Sequence, residues 1–391
     1  MHPLLTLALV LVAGIGVTRL SRPAIRRPVL LDDFLTTGAP FLVLGLLLGP
    51  GLGVIDRGGL RLLEPLVALG VGWIGAVFGA RLEWRMIRRV SVRTWLIGAT
   101  LAFPVLAMTA LTAWTMTRAV PSLAESWGRP TVAVALALAG ALTTAASHRG
   151  RRLGRRNAVL DTLFGTAAVV VGIAYYHPHV AVRSILLTAL TGLGLGALCV
   201  AVARTLREPS DAAVAAFGAV LWGAGFSYAA GLSPFVVCGL EAAIIMSFSS
   251  PPVRRAVAGV LTGWETPLYA AFLIIAGALL RPVTAWVVAA ALLLSVVRVL
   301  VRWVTVRFGL DQVDPVWRSL PYAPPPEFAH SAMRQGATAV ALAAGFDLVR
   351  GATGSGIAGS VLVTILLSVM TAEALSALTP LTASPRRAEV S

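Results

Sequence analysis

The sequence predicts an all-α polytopic membrane protein of about thirteen transmembrane helices. Three observations lead there: the composition, the recurrence of long apolar stretches, and the way arginines alternate between the connectors. The 391 residues are 57% hydrophobic and 13% charged, more apolar surface than a soluble domain of this length can hide from water. Stretches of about 20 apolar residues recur along the chain, the length an α-helix needs to cross a hydrocarbon core of roughly 30 Å.

The spans are expected at 3–19, 37–55, 60–80, 93–116, 130–147, 157–176, 180–203, 210–230, 232–249, 256–280, 283–306, 333–349 and 356–379, with ends uncertain by about two to four residues. The first, Leu4–Val17, has almost nothing before it and Arg19, Arg22, Arg26 and Arg27 after it. A secretory signal carries its charge first, so this segment reads as a retained span.

The basic residues are all arginine, and the net charge is +15. They sit in short connectors rather than along one helix face, which argues against nucleic-acid binding and for membrane orientation. Odd-numbered connectors and the carboxyl tail hold twenty-three of them, including Arg81, Arg85, Arg88, Arg89, Arg151, Arg152, Arg155, Arg156, Arg302 and Arg307. Even-numbered connectors hold seven: Arg57, Arg61, Arg118, Arg129, Arg183, Arg281 and Arg350. The positive-inside rule then places the amino terminus outside and the carboxyl terminus in the cytoplasm of a cell membrane. The connector 309–331, with Pro315, Pro321, Pro324, Pro325 and Pro326, reads as an extended cytoplasmic loop.

Ionisable groups in hydrocarbon are costly and are candidates for function. Asp161 falls in the sixth span and Arg298 in the eleventh, so an acid and a guanidinium on two helices suggest a pair, static or functional. Glu265, after Trp264 and before Pro267, suits a structural kink or a transport role. Glu241 follows Gly239 and is expected to face a subunit interface. The fifth and twelfth spans are small and polar for their depth, Ala139–Ser147 and Gln335–Gly345. Small residues allow close packing. Short interrupted segments in two halves also point to discontinuous helices whose free carbonyls receive a cation, with Thr143, Thr144 and Thr338 adding hydroxyls.

Other chemistry is poorly supported. Cys199 and Cys238 lie within apolar spans and read as small buried hydrophobes. His177-Pro-His179 has metal-like spacing but no third ligand nearby. Gly49-Pro-Gly-Leu-Gly53 has no strand before it, so it is no nucleotide loop. The chain is expected to be no enzyme and to need no cofactor.

Several segments together resemble the monovalent cation:proton antiporter superfamily, the sodium/hydrogen exchanger-like membrane proteins. They are Pro40–Gly53 with its Gly-Pro turn, Leu69–Arg81, Gly225–Pro234 and Glu265–Gly277. The resemblance covers most of the chain. It implies a single transporter domain over 1–391 built from inverted repeats, a first core repeat at 93–176 and a second at 283–379. It also implies a homodimer. The two discontinuous crossing helices are then the fifth and twelfth spans, the latter around Gly336 and Thr338.

Asp161 matches the first of the family's two adjacent acids and Thr162 stands at the second. Arg298 matches a basic residue that pairs with the first. The resemblance therefore implies exchange of Na⁺ or K⁺ for protons at Asp161, Thr162, Thr143 and Thr144, stabilised by Arg298 and Glu265. Because an arginine keeps its proton, a single carboxylate implies one-for-one, electroneutral exchange. Thr162 and the short, arginine-rich stretch between Thr144 and Asp161 support a second reading: a degenerate ion site on a non-transporting membrane sensor or scaffold.

Overall fold

The computed structural model describes residues 39–51, 57–82, 84, 88, 92–123, 181–206, 208–278, 285–305 and 341. Every element among them is helical. In order they are α1 (Ala39–Leu46), which runs into a π-helical turn (Leu47–Gly51), α2 (Arg57–Gly79), α3 (Val92–Ala119), α4 (Ala181–Thr205), α5 (Pro209–Ala229), α6 (Pro234–Phe248), α7 (Pro251–Ala278) and α8 (Ala285–Val304). These are eight of the expected spans. The first, fifth, sixth and thirteenth lie outside the described residues, as do all of the twelfth but Ala341, the His177-Pro-His179 turn and the 309–331 loop.

The apolar lengths make this a membrane protein. Arg183–Thr205, Ser210–Ala229 and Ala285–Val304 are each long and apolar enough to cross a bilayer. The two halves of α7, bent by 42° at Pro267, together pass the same test. A proline lacks the N–H for the helix ladder and its ring crowds the preceding turn, which accounts for the bend. Pro50 sits in the π-helical turn after α1, where a lost donor is likewise accommodated by irregular winding.

Proline also sets the starts. Pro209, Pro234 and Pro251 open α5, α6 and α7, where the first helical N–H has no partner to lose. The corner between α5 and α6 is closed by glycine. Gly231 has φ 66°, and the N–H groups of Leu232 and Gly231 donate to the carbonyls of Ser227 (2.8 Å) and Tyr228 (3.2 Å). That is the Schellman pattern, which caps carbonyls that would otherwise end unsatisfied.

In lipid there is little hydrophobic drive between helices, so close van der Waals fit must supply the packing. Glycines supply it at three seams. On α2, Gly72, Gly75 and Gly79 share one face. A methyl at Gly75 would strike the carbonyl of Phe235, and one at Gly79 would strike that of Gly239, both on α6. On α4, Gly192 and Gly196 approach the carbonyls of Val237 and Glu241 so closely that a Cβ would lie 2.7 Å and 2.9 Å away. On α1, Gly45 meets the carbonyl of Ile274 of α7, while Gly277 of α7 meets that of Leu42.

Two packing groups result. Helix α6 packs on α2, α4 and α5, and α7 packs on α1, α2 and α5; α3 and α8 pack on each other. The core of the larger group includes Trp73, Val220, Ala242, Ile245, Val257 and Leu261. Trp73 meets Phe217 edge-on at 5.4 Å. Leucines 186, 187, 190, 193 and 198 of α4 point outward, as a lipid-facing surface requires. Trp114, Trp222, Trp264, Trp286 and Trp303 are exposed as well. Arg118 stacks 4.1 Å over Trp114 at the end of α3.

Expectations for the connectors and for Glu241 are corrected. Several arginines expected in connectors lie within helix ends instead: Arg57 and Arg61 in α2, Arg118 in α3, Arg183 and Arg204 in α4, Arg254 and Arg255 in α7, and Arg302, which is buried in the last turn of α8. Glu241 does not face a subunit interface, because the interior of this one chain encloses it completely. Cys199 and Cys238 are free and buried, as expected.

Candidate functional site

Helix α8 is built inside out. Its buried face runs Val287, Ala290, Ala291, Leu294, Ser295, Arg298, Arg302, which is the i, i+3, i+4, i+7 pattern of one helical face. The opposite face exposes Trp286, Leu292, Leu293, Val296, Leu300 and Trp303. A soluble helix would turn its leucines in and its arginines out. Hydrocarbon reverses the preference, since a guanidinium facing lipid is expensive and one facing the protein interior can be partnered.

Arg298 is 1% exposed and Arg302, one turn on, is 3% exposed; neither is without a partner. Ser295, one turn before Arg298, donates its hydroxyl to the carbonyl of Ala291 at 2.7 Å. Thr305 does the same to Val301 at 2.7 Å. Helix α3, which packs on α8, buries Val105, Thr109 and Ala113 at successive four-residue steps. Thr109 turns its hydroxyl back onto the carbonyl of Val105 at 2.6 Å. Each of these hydroxyls donates within its own helix, and among the described residues of α3 and α8 Arg298 and Arg302 are the buried charges.

The other expected site residues are spread differently. Asp161, Thr162, Thr143, Thr144, Gly336 and Thr338 lie outside the described residues. Glu265 belongs to α7, in the larger packing group, and its half-exposed carboxylate lies 3.8 Å from the guanidinium of Arg81, just past the end of α2. At that exposure the pair is a weak tether between α2 and α7.

Sequence reasoning missed two features. Arg302 was counted as an orienting charge, although its four-residue spacing from Arg298 and the regular outward leucines were visible signals. Glu241 is the other. Its carboxyl oxygens are buried without a hydrogen-bond partner among the described residues. Nothing in its neighbourhood in the chain announces that, because the surroundings come from three other helices. Among the described residues no group of three or more His, Cys, Asp or Glu side chains could hold a metal ion.

No family model matches the chain, and no curated protein matches it. Solved structures do. The structure of the sodium/proton antiporter MjNhaP1 from Methanocaldococcus jannaschii at pH 8 aligns over 96% of this chain and 96% of its own, with a TM-score of 0.65 and 14% identity. An electron-microscopy structure of the same antiporter aligns over 95% of this chain and 94% of its own, with a TM-score of 0.65 and 13% identity. At such identities the likeness is one of architecture: this chain has the fold of a sodium/proton antiporter.

Proposed function

We propose that the chain is a secondary active transporter that exchanges a monovalent cation, Na⁺ or K⁺, for protons. The observation that carries the reading is Arg298: a buried, partnered guanidinium on the inward face of α8, at the position where a basic residue is expected beside Asp161. A permanent cation there gives an intramembrane carboxylate its counter-charge when neither ion is bound. Asp161 binds the cation or the proton in turn, and Thr143, Thr144 and Thr162 add oxygens, as does the second broken helix near Gly336 and Thr338. Since Arg298 keeps its proton, exchange is one for one and electroneutral.

The packing of α3 with α8, and of the remaining described helices with one another, supports a core of 93–176 and 283–379 moving against the rest of the chain. Glu265, tied to Arg81, then belongs to the stationary part and stabilises the site only at a distance. The amino terminus is outside, the carboxyl terminus cytoplasmic, and the protein works as a homodimer.

Thr162 favours a second reading. It removes one of the two acids expected at the crossing, which suits a sensor or scaffold that has kept the fold and lost exchange.

Proteoliposomes holding the purified protein and a pH-sensitive dye separate the two. Pulses of Na⁺ or K⁺ should restore dye fluorescence after an imposed proton gradient, and Asp161→Asn should abolish the response. Silence toward every alkali cation from mildly acidic to alkaline pH would establish the second reading.

A further inference from the structure

The described interior holds one acid that cation exchange does not use. Glu241 lies two turns into α6, fully buried, and neither carboxyl oxygen has a hydrogen-bond partner among the described residues. Its side chain reaches toward α5. A methyl placed on Gly223 of α5 would come within 2.8 Å of Oε2 of Glu241 and 3.3 Å of Leu195 of α4. The missing Cβ at Gly223 is the space the carboxyl occupies. On the other side, Gly196 of α4 rests 2.9 Å from the backbone carbonyl of Glu241 by the same measure.

Among the described residues the surroundings of the carboxyl offer no partner. In the core shared by these helices, α4 presents Cys199 and α6 itself presents Cys238, both thiols. From α2 comes Trp73, whose indole Nε1 also lacks a hydrogen-bond partner among the described residues. The Sγ of Cys238 is engaged with the carbonyl of Val220 at 3.5 Å. Tyr228 of α5 and Glu64 of α2 are bound to each other. The remaining charged residues of α2, α4 and α5 are Arg57, Arg61, Arg183, Arg204 and Asp211, all toward helix ends. Helix α7, which shares this core, carries Arg254 and Arg255 near its start and Glu265 at its bend, paired with Arg81.

An ionised carboxylate in such a place finds no hydrogen-bond donor among the described residues to replace its hydration, and burial of an unpaired charge is among the costliest events in a protein. The neutral acid leaves only ordinary polar atoms unsatisfied. We propose that Glu241 is a proton-binding site, a carboxylic acid that holds its proton while α2, α4, α5 and α6 are packed together. It releases that proton only when water enters between α4 and α5. The chemistry is one O–H bond made or broken, with the proton passing to or from water. The site lies in the larger helix group, apart from α3 and α8, and does not depend on the exchange reading.

The test uses the full-length protein in liposomes, with infrared difference spectra recorded between neutral and alkaline pH in H₂O and D₂O. The wild type should show, at neutral pH, the carbonyl band of a protonated carboxylic acid that Glu241→Gln lacks. Gly223→Ala, which presses a methyl against Oε2, should shift that band without removing it. Glu241→Gln copies the shape of the neutral acid, so at neutral pH it should melt with the wild type; at alkaline pH the wild type should lose stability and the variant should keep it. The proposal is overturned if the two spectra share the same acid bands, or if Glu241→Gln melts far below the wild type at neutral pH. It is equally overturned if Na⁺ or K⁺ raises the melting temperature only when Glu241 is present, which would make the site one for an alkali cation.

Discussion

The phenol of Tyr228 donates a hydrogen bond to Oε2 of Glu64 at 2.9 Å, joining the last turn of α5 to α2. A second tie between distant segments, Ser247 of α6 accepting from the backbone N–H of Trp84 at 3.1 Å, is exposed. Tyr228→Phe should therefore lower stability by about 0.5–1.5 kcal/mol, the usual net worth of one hydrogen bond. Glu64→Gln should cost a similar amount or less, and the double variant should cost less than the sum, because both remove one interaction. Unfolding of the detergent-solubilised protein checks this. Full additivity would mean that the bond contributes nothing.

Helix α4 offers an internal control for the glycine seams. Gly192 and Gly196 are pressed against α6, whereas a Cβ on Gly194 would meet nothing within 4 Å. Gly192→Leu and Gly196→Leu should each destabilise by about 1–3 kcal/mol or prevent folding, as overpacking does. Gly194→Leu should be nearly silent. Melting temperatures and expression levels of the three variants decide the matter, and equal behaviour would remove the seam.

At the α5–α6 corner, the positive φ of Gly231 makes side-chain identity matter although the surroundings are open. Gly231→Val should cost about 1–2 kcal/mol from backbone strain alone. Gly231→Asn should cost less, since asparagine tolerates the left-handed region. A valine variant as stable as the wild type would show that the corner relaxes to another turn.

For exchange, the arginines of α8 separate by role. Arg298→Leu should reduce cation-driven proton movement at least tenfold, a loss of about 1.4 kcal/mol or more. Arg298→Lys should retain part of it, because the charge survives while the planar fork is lost. Arg302→Leu should act on stability first, since it removes a buried guanidinium that is engaged with its surroundings. Transport and melting measured on the same preparations distinguish the two positions. Wild-type exchange in Arg298→Leu would remove this residue from the mechanism.

The helices were legible in the sequence because hydrocarbon thickness imposes a length, and the fourth expected span, 93–116, lies within α3 at Val92–Ala119. Ends were harder. The tenth span was expected to begin at 256, but α7 begins at Pro251, so Arg254 and Arg255 belong to a helix rather than a connector. In sequence a charge looks like a loop, and Arg302, buried inside α8, gives the same signal from within a helix. Arg298 could be picked out because a lone arginine among valines and leucines has no cheap explanation. The environment of Glu241 could not, because Gly223 and Leu195 reach it only after α4 and α5 have docked on α6. The seams were hidden for the same reason: Gly192 and Gly194 look alike until a neighbour arrives.

The inside-out character of α8 also bears on how the protein is made. An arginine at the bilayer centre burdens a lone helix by about 2.5–3.5 kcal/mol, and Arg302, in the last turn of α8, burdens it less than Arg298 because it lies nearer the interface. Residues 285–304 emerge from the ribosome long after 92–119, so α3 exists before α8 is made. Membrane entry of α8 thus becomes a templated event, in which an earlier segment provides the receiving surface that the bilayer itself denies.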